Sequence, residues 1–336
     1  MLQQTTVVAV KPYFERFLSR FPSVESLAAA PIDDILRQWE GLGYYSRARN
    51  LHRAAKIVAE ELGGQFPRDV AALEDLPGVG RYTAGAIASF AFDVRAPIVE
   101  ANTLRLYSRL LGYEGDPRSR EGQALLWEFA EKILPPQESG AFNHAVMDIG
   151  AMVCRPTDPD CPDCPLKSCC QAFAEGTQDR IPQRAKRPEL TDVVDATVVI
   201  RSGDKVLIRQ RGDDERWAGL WDFPRVTVES GEPEGPRAPS VADLQKLARS
   251  TLTDWVRQHL GLTLRDWEPV TEIRHGVTRY RIRLLCLTAT TEPPRGKTPP
   301  AGVRWVTSAE LADVPLSMTG RKLAKLVSPG RERRLF

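Results

Sequence analysis

Of the chain's six cysteines, all but Cys286 lie between Cys154 and Cys170. A disulfide framework would spread its cysteines through a small secreted chain. This chain has 336 residues and no basic-then-apolar leader at Met1-Leu2-Gln3-Gln4-Thr5-Thr6. Clustered thiols in such a chain point to a metal. The spacing offers Cys154, Cys161 and Cys164, with either Cys169 or Cys170 as a fourth, on a Pro-rich loop. Four thiolates so arranged suit zinc or a [4Fe–4S] cluster, and ligand type alone leaves both open.

The periodicity changes after this loop. Before it, helical patterns run over 5–20, 24–30, 31–39, from the 41–50 corner to Leu62, 83–92, up to Leu111, 119–133 and 141–153. Residues 178–192 are polar, basic and Pro-containing, and read as a linker. Beyond them, the β-rich runs 196–200 and 205–210 flank Ser202-Gly203-Asp204, a hairpin signal. Further strands are expected over 278–288 and 302–306, and helices over 241–260 and 321–327. The length suits two or three domains, and 42% hydrophobic with 27% charged residues is ordinary for a globular protein. No run of about 18 apolar residues occurs, so no membrane span is expected. The net charge of +2 does not mark a nucleic-acid binder, so that argument rests on local patches.

Three stretches carry local chemistry. In Leu76-Pro77-Gly78-Val79-Gly80, Pro77 ends one helix, and the glycines permit positive φ and close approach by another molecule. Arg81-Tyr82-Thr83 then opens a helix whose outward amides suit a phosphate. The corner 41–50 (Gly-Leu-Gly-Tyr-Tyr-Ser-Arg-Ala-Arg-Asn) sets Tyr44 and Tyr45 among Arg47, Arg49 and, just beyond, Arg53. Aromatics among arginines suit base stacking and phosphate contact, or else a solvated face over core tyrosines. Glu100 follows a Pro-containing corner where a helix begins, a place that keeps a carboxylate ionised.

Taken together, Leu2-Gln3-Gln4-Thr5, the 41–50 corner, the 76–80 hairpin, the cysteine set and the β-rich C-terminal half resemble the adenine DNA glycosylases of the MutY family, within the helix-hairpin-helix superfamily. The resemblance implies an all-α helix-hairpin-helix glycosylase with an iron–sulfur loop, followed by an α+β Nudix-like domain. Its implied organisation is a six-helix DNA-glycosylase domain at 1–94, a helical iron–sulfur domain at 95–177, a linker at 178–192 and an 8-oxoguanine-recognition domain at 193–336. It implies removal of adenine mispaired with 8-oxoguanine or guanine in double-stranded DNA, by a monomer in the bacterial cytoplasm at the nucleoid. It also selects a [4Fe–4S] cluster held by Cys154, Cys161, Cys164 and Cys170, with Cys169 left spare.

The same resemblance assigns roles. Gly78, Val79 and Gly80 hold DNA phosphate, Gln4 and Tyr44 wedge beside 8-oxoguanine, and Thr5 lies next to that base. Tyr82 stands where strand-cutting relatives carry a lysine, and a tyrosine cannot form their Schiff base, so a monofunctional enzyme is implied. Glu100-Ala101-Asn102 replaces the family's Asp-Gly-Asn turn, putting the carboxylate that stabilises the sugar cation on an arm one methylene longer. The proton donor of the family lies two residues ahead of its Met-Leu-Gln-Gln-Thr. The expectation is therefore a start upstream of Met1, and slow excision by the chain as written. Trp217 to Pro224 matches the Nudix-like strand-loop motif. Gln258-His259-Leu260-Gly261 replaces the acidic helix end that holds Mg²⁺ in Nudix hydrolases, so the domain is expected to bind rather than hydrolyse. Val277-Thr278-Arg279 replaces the Phe-Ser-His lesion loop, with Thr278 keeping the hydroxyl. Two other readings stand beside this one: a thymine-mismatch glycosylase, which Tyr82 also fits, and a lesion-binding protein without turnover.

Overall fold

The computed structural model describes residues 1–183, 189–230, 240–292 and 299–327. The chain forms two compact units: a helical unit, Arg53–Arg187, and a composite unit made of Met1–His52 and Pro188–Phe336.

The helical unit takes up the chain within α4 (Ser46–Glu60), after α1 (Val7–Arg20), α2 (Val24–Ala29) and α3 (Ile32–Trp39) of the composite unit. It continues through α5 (Val70–Glu74), α6 (Arg81–Phe92), α7 (Ala101–Leu110), α8 (Arg120–Ile133) and α9 (Ser139–Asp148). A π-helical turn, Ile149–Val153, extends α9 into the cysteine loop, and α10 (Gln171–Ala174) follows that loop. Helix starts follow the sequence: Asp69 caps α5 by accepting from the Ala72 amide at 3.0 Å, and Ser119 caps α8 through the Gly122 amide. Leu106, Tyr107, Leu126, Trp127 and Val146 form a core that also takes in Cys154. The expected linker 178–192 is described only in part. Ile181 is buried and its carbonyl accepts from Arg109 Nε at 2.9 Å, so 178–183 stay docked on this unit. Residues 184–188 lie outside the described residues, and Thr191 already belongs to a strand.

In the composite unit the chain re-enters at β1 (Thr191–Ser202), followed by β2 (Lys205–Gln210), β3 (Trp221–Asp222), β4 (Arg225–Ser230), α11 (Val241–Leu260), β5 (Arg265–Val277), β6 (Tyr280–Thr290), β7 (Val303–Thr307), α12 (Ser308–Asp313) and α13 (Met318–Val327). The sheet runs β3-β2-β1-β6-β5, with β4 also on β1 and β7 also on β2. β1 is parallel to β6 from Thr191 opposite Tyr280 to Arg201 opposite Thr290. Two periodicities meet here. Ala196, Val198 and Ile200, two apart on β1, face Leu244, Ala248, Leu252 and Val256, four apart on α11. Val199 turns to the opposite face and packs with Trp221, Phe223 and Leu323 of α13.

β5 has no strand signal in the sequence reading, for physical reasons. It is an edge strand with few buried residues, it contains Pro269, and its register slips twice against β6.

Candidate functional site

In the helical unit the 76–80 hairpin forms as the glycines suggest, though only one of them uses positive φ. Gly78 has φ +81°, whereas Gly80 is the extended N-cap of α6 at φ −104°. A Cβ on Gly80 would meet nothing within 4 Å, so the fold leaves that position open. The Val79 amide is already bonded to the Leu76 carbonyl at 3.1 Å. No side chain caps α6, so the amides of its first turn are the ones turned outward. Arg81 lies over the Trp127 ring at 3.8 Å, which anchors the hairpin to α8.

Glu100 is the N-cap of α7. Its Oε1 accepts from the Asn102 and Thr103 amides at 2.8 and 2.9 Å, and Thr103 Oγ1 accepts from the Glu100 amide at 2.8 Å. The longer glutamate arm is thus curled back onto its own helix start. Burial, and then the Glu100 charge, raise the half-buried Tyr82 hydroxyl above its ordinary pKa of 10.0, which places the two groups in one electrostatic neighbourhood. Their spacing is set by backbone, since a Cβ on Gly85 of α6 would stand 2.4 Å from the Pro97 carbonyl oxygen. Asn102 Oδ1 accepts from Arg105 Nη2 at 2.9 Å. The same buried guanidinium donates to the Cys154 carbonyl at 2.7 Å and the Gly150 carbonyl at 2.5 Å. A Cβ on Gly150 would lie 2.9 Å from the Asn102 carbonyl oxygen. The Glu100 turn, the π-turn and the cysteine loop are therefore contiguous.

Cys154, Cys161, Cys164 and Cys170 line one cavity, with Leu106 and Arg109 on its wall. Arg109 Nη1 donates to Cys154 Sγ at 3.2 Å. Burial and then the neighbouring sulfurs push the Cys161 thiol above its ordinary 9.0. Cys169 is exposed and its Sγ is 3.2 Å from the Leu166 carbonyl, off the cavity wall. Among the described residues no three His, Cys, Asp or Glu side chains close on a single point. The four thiols share that cavity, a soft donor set whose chemistry suits zinc or an iron–sulfur cluster.

The composite unit holds the remaining candidates. The corner's two tyrosines split: Tyr45 is buried and Tyr44 is 53% exposed. The Arg47 guanidinium is directed inward rather than toward a phosphate. It donates to the carbonyls of Met1 (2.6 Å), Gln3 and Gly43 (3.2 Å) and to Thr5 Oγ1 (3.1 Å), and it faces the Trp39 and Tyr44 rings. Residues 1–5 are thereby bound to the corner. At the tip of the β5–β6 hairpin, Val277 pairs with Tyr280, leaving Thr278 and Arg279 as the turn. Gln4, Tyr44 and Thr278 all have positive φ, at 58°, 50° and 52°. Such backbone is costly for non-glycine residues, most of all a β-branched one, and it gathers at functional sites. Trp217 (φ +61°) shares the feature and stands beside His275 and Arg225. At the end of α11, His259 stacks on Trp255 at 4.6 Å and Asp254 is paired with Arg257. His144 on α9 stacks on Phe90 at 4.0 Å and carries no role in the reading.

Arg105 and Arg109 are absent from the sequence reading. Their signal is two arginines four apart on one face of α7, a face otherwise buried.

Comparison with known proteins divides the chain in sequence order, across the boundary between the two units. Residues 1–132 match the family model HhH-GPD, described as a superfamily base excision DNA repair protein, and residues 196–326 match a NUDIX domain model. The chain is 33% identical over 378 residues to the adenine DNA glycosylase of Mus musculus, covering 99% of this chain and 71% of the relative. It is 32% identical over 376 residues to that of Homo sapiens, covering 97% and 66%. It is 40% identical over 224 residues to that of Buchnera aphidicola subsp. Schizaphis graminum, covering 67% and 65%.

Proposed function

Because the chain belongs to the MutY family of adenine DNA glycosylases, we propose that it excises adenine paired with 8-oxoguanine or guanine and leaves the strand uncut. It is a base-excision-repair glycosylase acting on DNA. The observation that carries the finer reading is the Glu100–Tyr82 neighbourhood, a carboxylate fixed on two amides whose charge reaches a half-buried hydroxyl. A proton on N7, given in the MutY family by the acid that lies two residues ahead of its Met-Leu-Gln-Gln-Thr, makes adenine a neutral leaving group, and the departing base leaves positive charge on the sugar. Glu100, held on two amides at the start of α7, stabilises that charge, and Asn102 with Arg105 holds the turn in place. Tyr82 offers a hydroxyl to water or to the sugar and has no amine to capture it, so hydrolysis ends at an abasic site.

The amides opening α6, with Gly78 and Gly80, take backbone phosphate, which positions the duplex without reading sequence. Gln4, Thr5, Tyr44 and Thr278 face the lesion base, and Arg47 organises that surface from behind. Wedging there accompanies extrusion of adenine. The Nudix-like domain binds without hydrolysing nucleotides, because Gln258 and His259 end α11 where anionic oxygen ligands would be needed. Cys154, Cys161, Cys164 and Cys170 would hold a [4Fe–4S] cluster, which when bound supplies a rigid clasp for the loop that Arg105 joins to Asn102. The protein acts as a monomer, in the cytoplasm at the nucleoid. Single-turnover assays on A:8-oxoguanine, A:G and T:G duplexes, with and without alkali, test this. The expected result is excision of adenine only, with strand breaks appearing only after alkali. Thymine release, or breaks without alkali, would overturn it.

A further inference from the structure

The helices on either side of the Tyr44 corner are each tied to the sheet half of the same unit. Glu40, at the end of α3, receives a guanidinium fork from Arg321 of α13, with Nε to Oε1 at 2.8 Å and Nη2 to Oε2 at 2.9 Å. The two side chains are only 7% and 15% exposed, so this is a desolvated, two-point contact. Arg321 also donates to the Leu311 carbonyl at 2.8 Å and the Val314 carbonyl at 2.6 Å, which fixes its own position. Earlier in α3, Asp33 Oδ2 accepts from Trp221 Nε1 at 3.1 Å. Beyond the corner, Arg49 in the first turn of α4 donates to the Ala218 carbonyl. Asp33, Glu40 and Arg49 thus bracket Tyr44 on both sides. Leu323, two residues further along α13, shares one buried cluster with Leu284 and Cys286 of β6, the strand that leads back to the Thr278 turn.

We propose that Glu40 and Arg321 are positioning residues for lesion discrimination. Their fork fixes the spacing between the Tyr44 corner and the Thr278 turn, so that the two work as one gauge on the base opposite adenine. The inference rests on the reading that these residues face that base. 8-Oxoguanine differs from guanine by one oxygen at C8 and one hydrogen at N7. Contacts that tell them apart must be held to fractions of an ångström. Ion pairs exposed like Arg257–Asp254 could not do this, because solvent and side-chain freedom leave them slack.

The test uses the full-length protein and equilibrium binding to A:8-oxoguanine and A:G duplexes, with thermal melting to verify folding. Thr278→Ala should lower the affinity ratio between the two duplexes. Glu40→Ala should lower it by about tenfold, a factor equivalent to about 1.4 kcal/mol. The double variant should lose no more than the larger single loss, since both act through the same contact. Arg321→Lys, which keeps the charge but not the fork, should fall between wild type and Glu40→Ala. It stands in if Glu40→Ala does not fold. Equal weakening on both duplexes, an unchanged ratio, or additive losses would overturn the positioning role while leaving Thr278 as a reader. An unchanged ratio in Thr278→Ala would overturn the reading itself.

Discussion

The two units hold their functional groups by different means. In the helical unit the distances are set mostly by close packing on the backbone: Gly85 against the Pro97 carbonyl, Gly150 against the Asn102 carbonyl, and the Glu100 side chain on two amides of α7, with the buried Arg105 bridging Asn102, Gly150 and Cys154. In the composite unit they are set by guanidinium groups: Arg47 on residues 1–5 and Gly43, Arg49 on Ala218, and Arg321 on Glu40. Backbone contacts between glycines and carbonyls cannot be retuned by one side-chain exchange, whereas a guanidinium fork can. Under the proposed function, the chemistry sits on the stiff framework and recognition of the opposite base on the adjustable one. On our reading of the site, excision and discrimination should be separable by mutation.

The largest effect expected is on excision. Glu100→Gln should slow single-turnover adenine release by about 10²–10³-fold, the usual cost of removing a group that stabilises developing charge. The affinity ratio between A:8-oxoguanine and A:G should stay as in wild type, and a ratio that moved with the rate would break the comparison. Next come the cysteines. Purified protein should carry about four irons per chain, and Cys154→Ser or Cys170→Ser should lose them while Cys169→Ser keeps them, by iron assay and absorbance. In a melting experiment the loss should lower the transition of the helical unit and spare that of the composite unit. Iron retained in Cys170→Ser but lost in Cys169→Ser would move the fourth ligand.

A smaller effect concerns the hairpin tip. Thr278→Gly should raise stability by about 1 kcal/mol, by relieving the positive φ, while lowering lesion discrimination. A drop in stability would show that the turn is not strained. A further effect, on stability alone, is a pH dependence confined to the composite unit. His275 is held neutral, its pKa lowered to about 4 by burial first and then by the Arg225 charge, with Asp195 opposing and Arg216 adding to the shift. From the ordinary value of 6.5 down to about 4, the unfolded chain takes up a proton that the folded one refuses. Stability from this residue is therefore complete above pH 6.5 and declines as pH falls toward 4, and His275→Gln should flatten that decline in urea titrations.

Much of this division was legible in the sequence, and the exceptions share a cause. The hairpin, the cysteine loop and the start of α7 are local: Pro77, Gly78 and the spacing of Cys154 to Cys170 specify them within a few residues. α11 was equally plain, because Leu244, Ala248, Leu252 and Val256 repeat every four residues between Ser240 and Gly261. What escaped depends on partners far along the chain. Arg47 reads as a phosphate contact until the carbonyls of Met1, Gln3 and Gly43 are seen around it. Arg321 lies 281 residues from Glu40, and nothing near either announces the pair. β5, an edge strand interrupted by Pro269, lacks the alternation that buried strands display.

Gly80 has a consequence for how variants of this protein would be classified. Its backbone is ordinary and its Cβ position opens onto empty space, so alanine there meets no obstacle within the fold. A screen that reports folding or abundance would score Gly80→Ala as harmless. Under the proposed function, the methyl would nonetheless project where the duplex backbone comes closest. Damage at such a position is invisible in the protein alone and appears only when DNA is present.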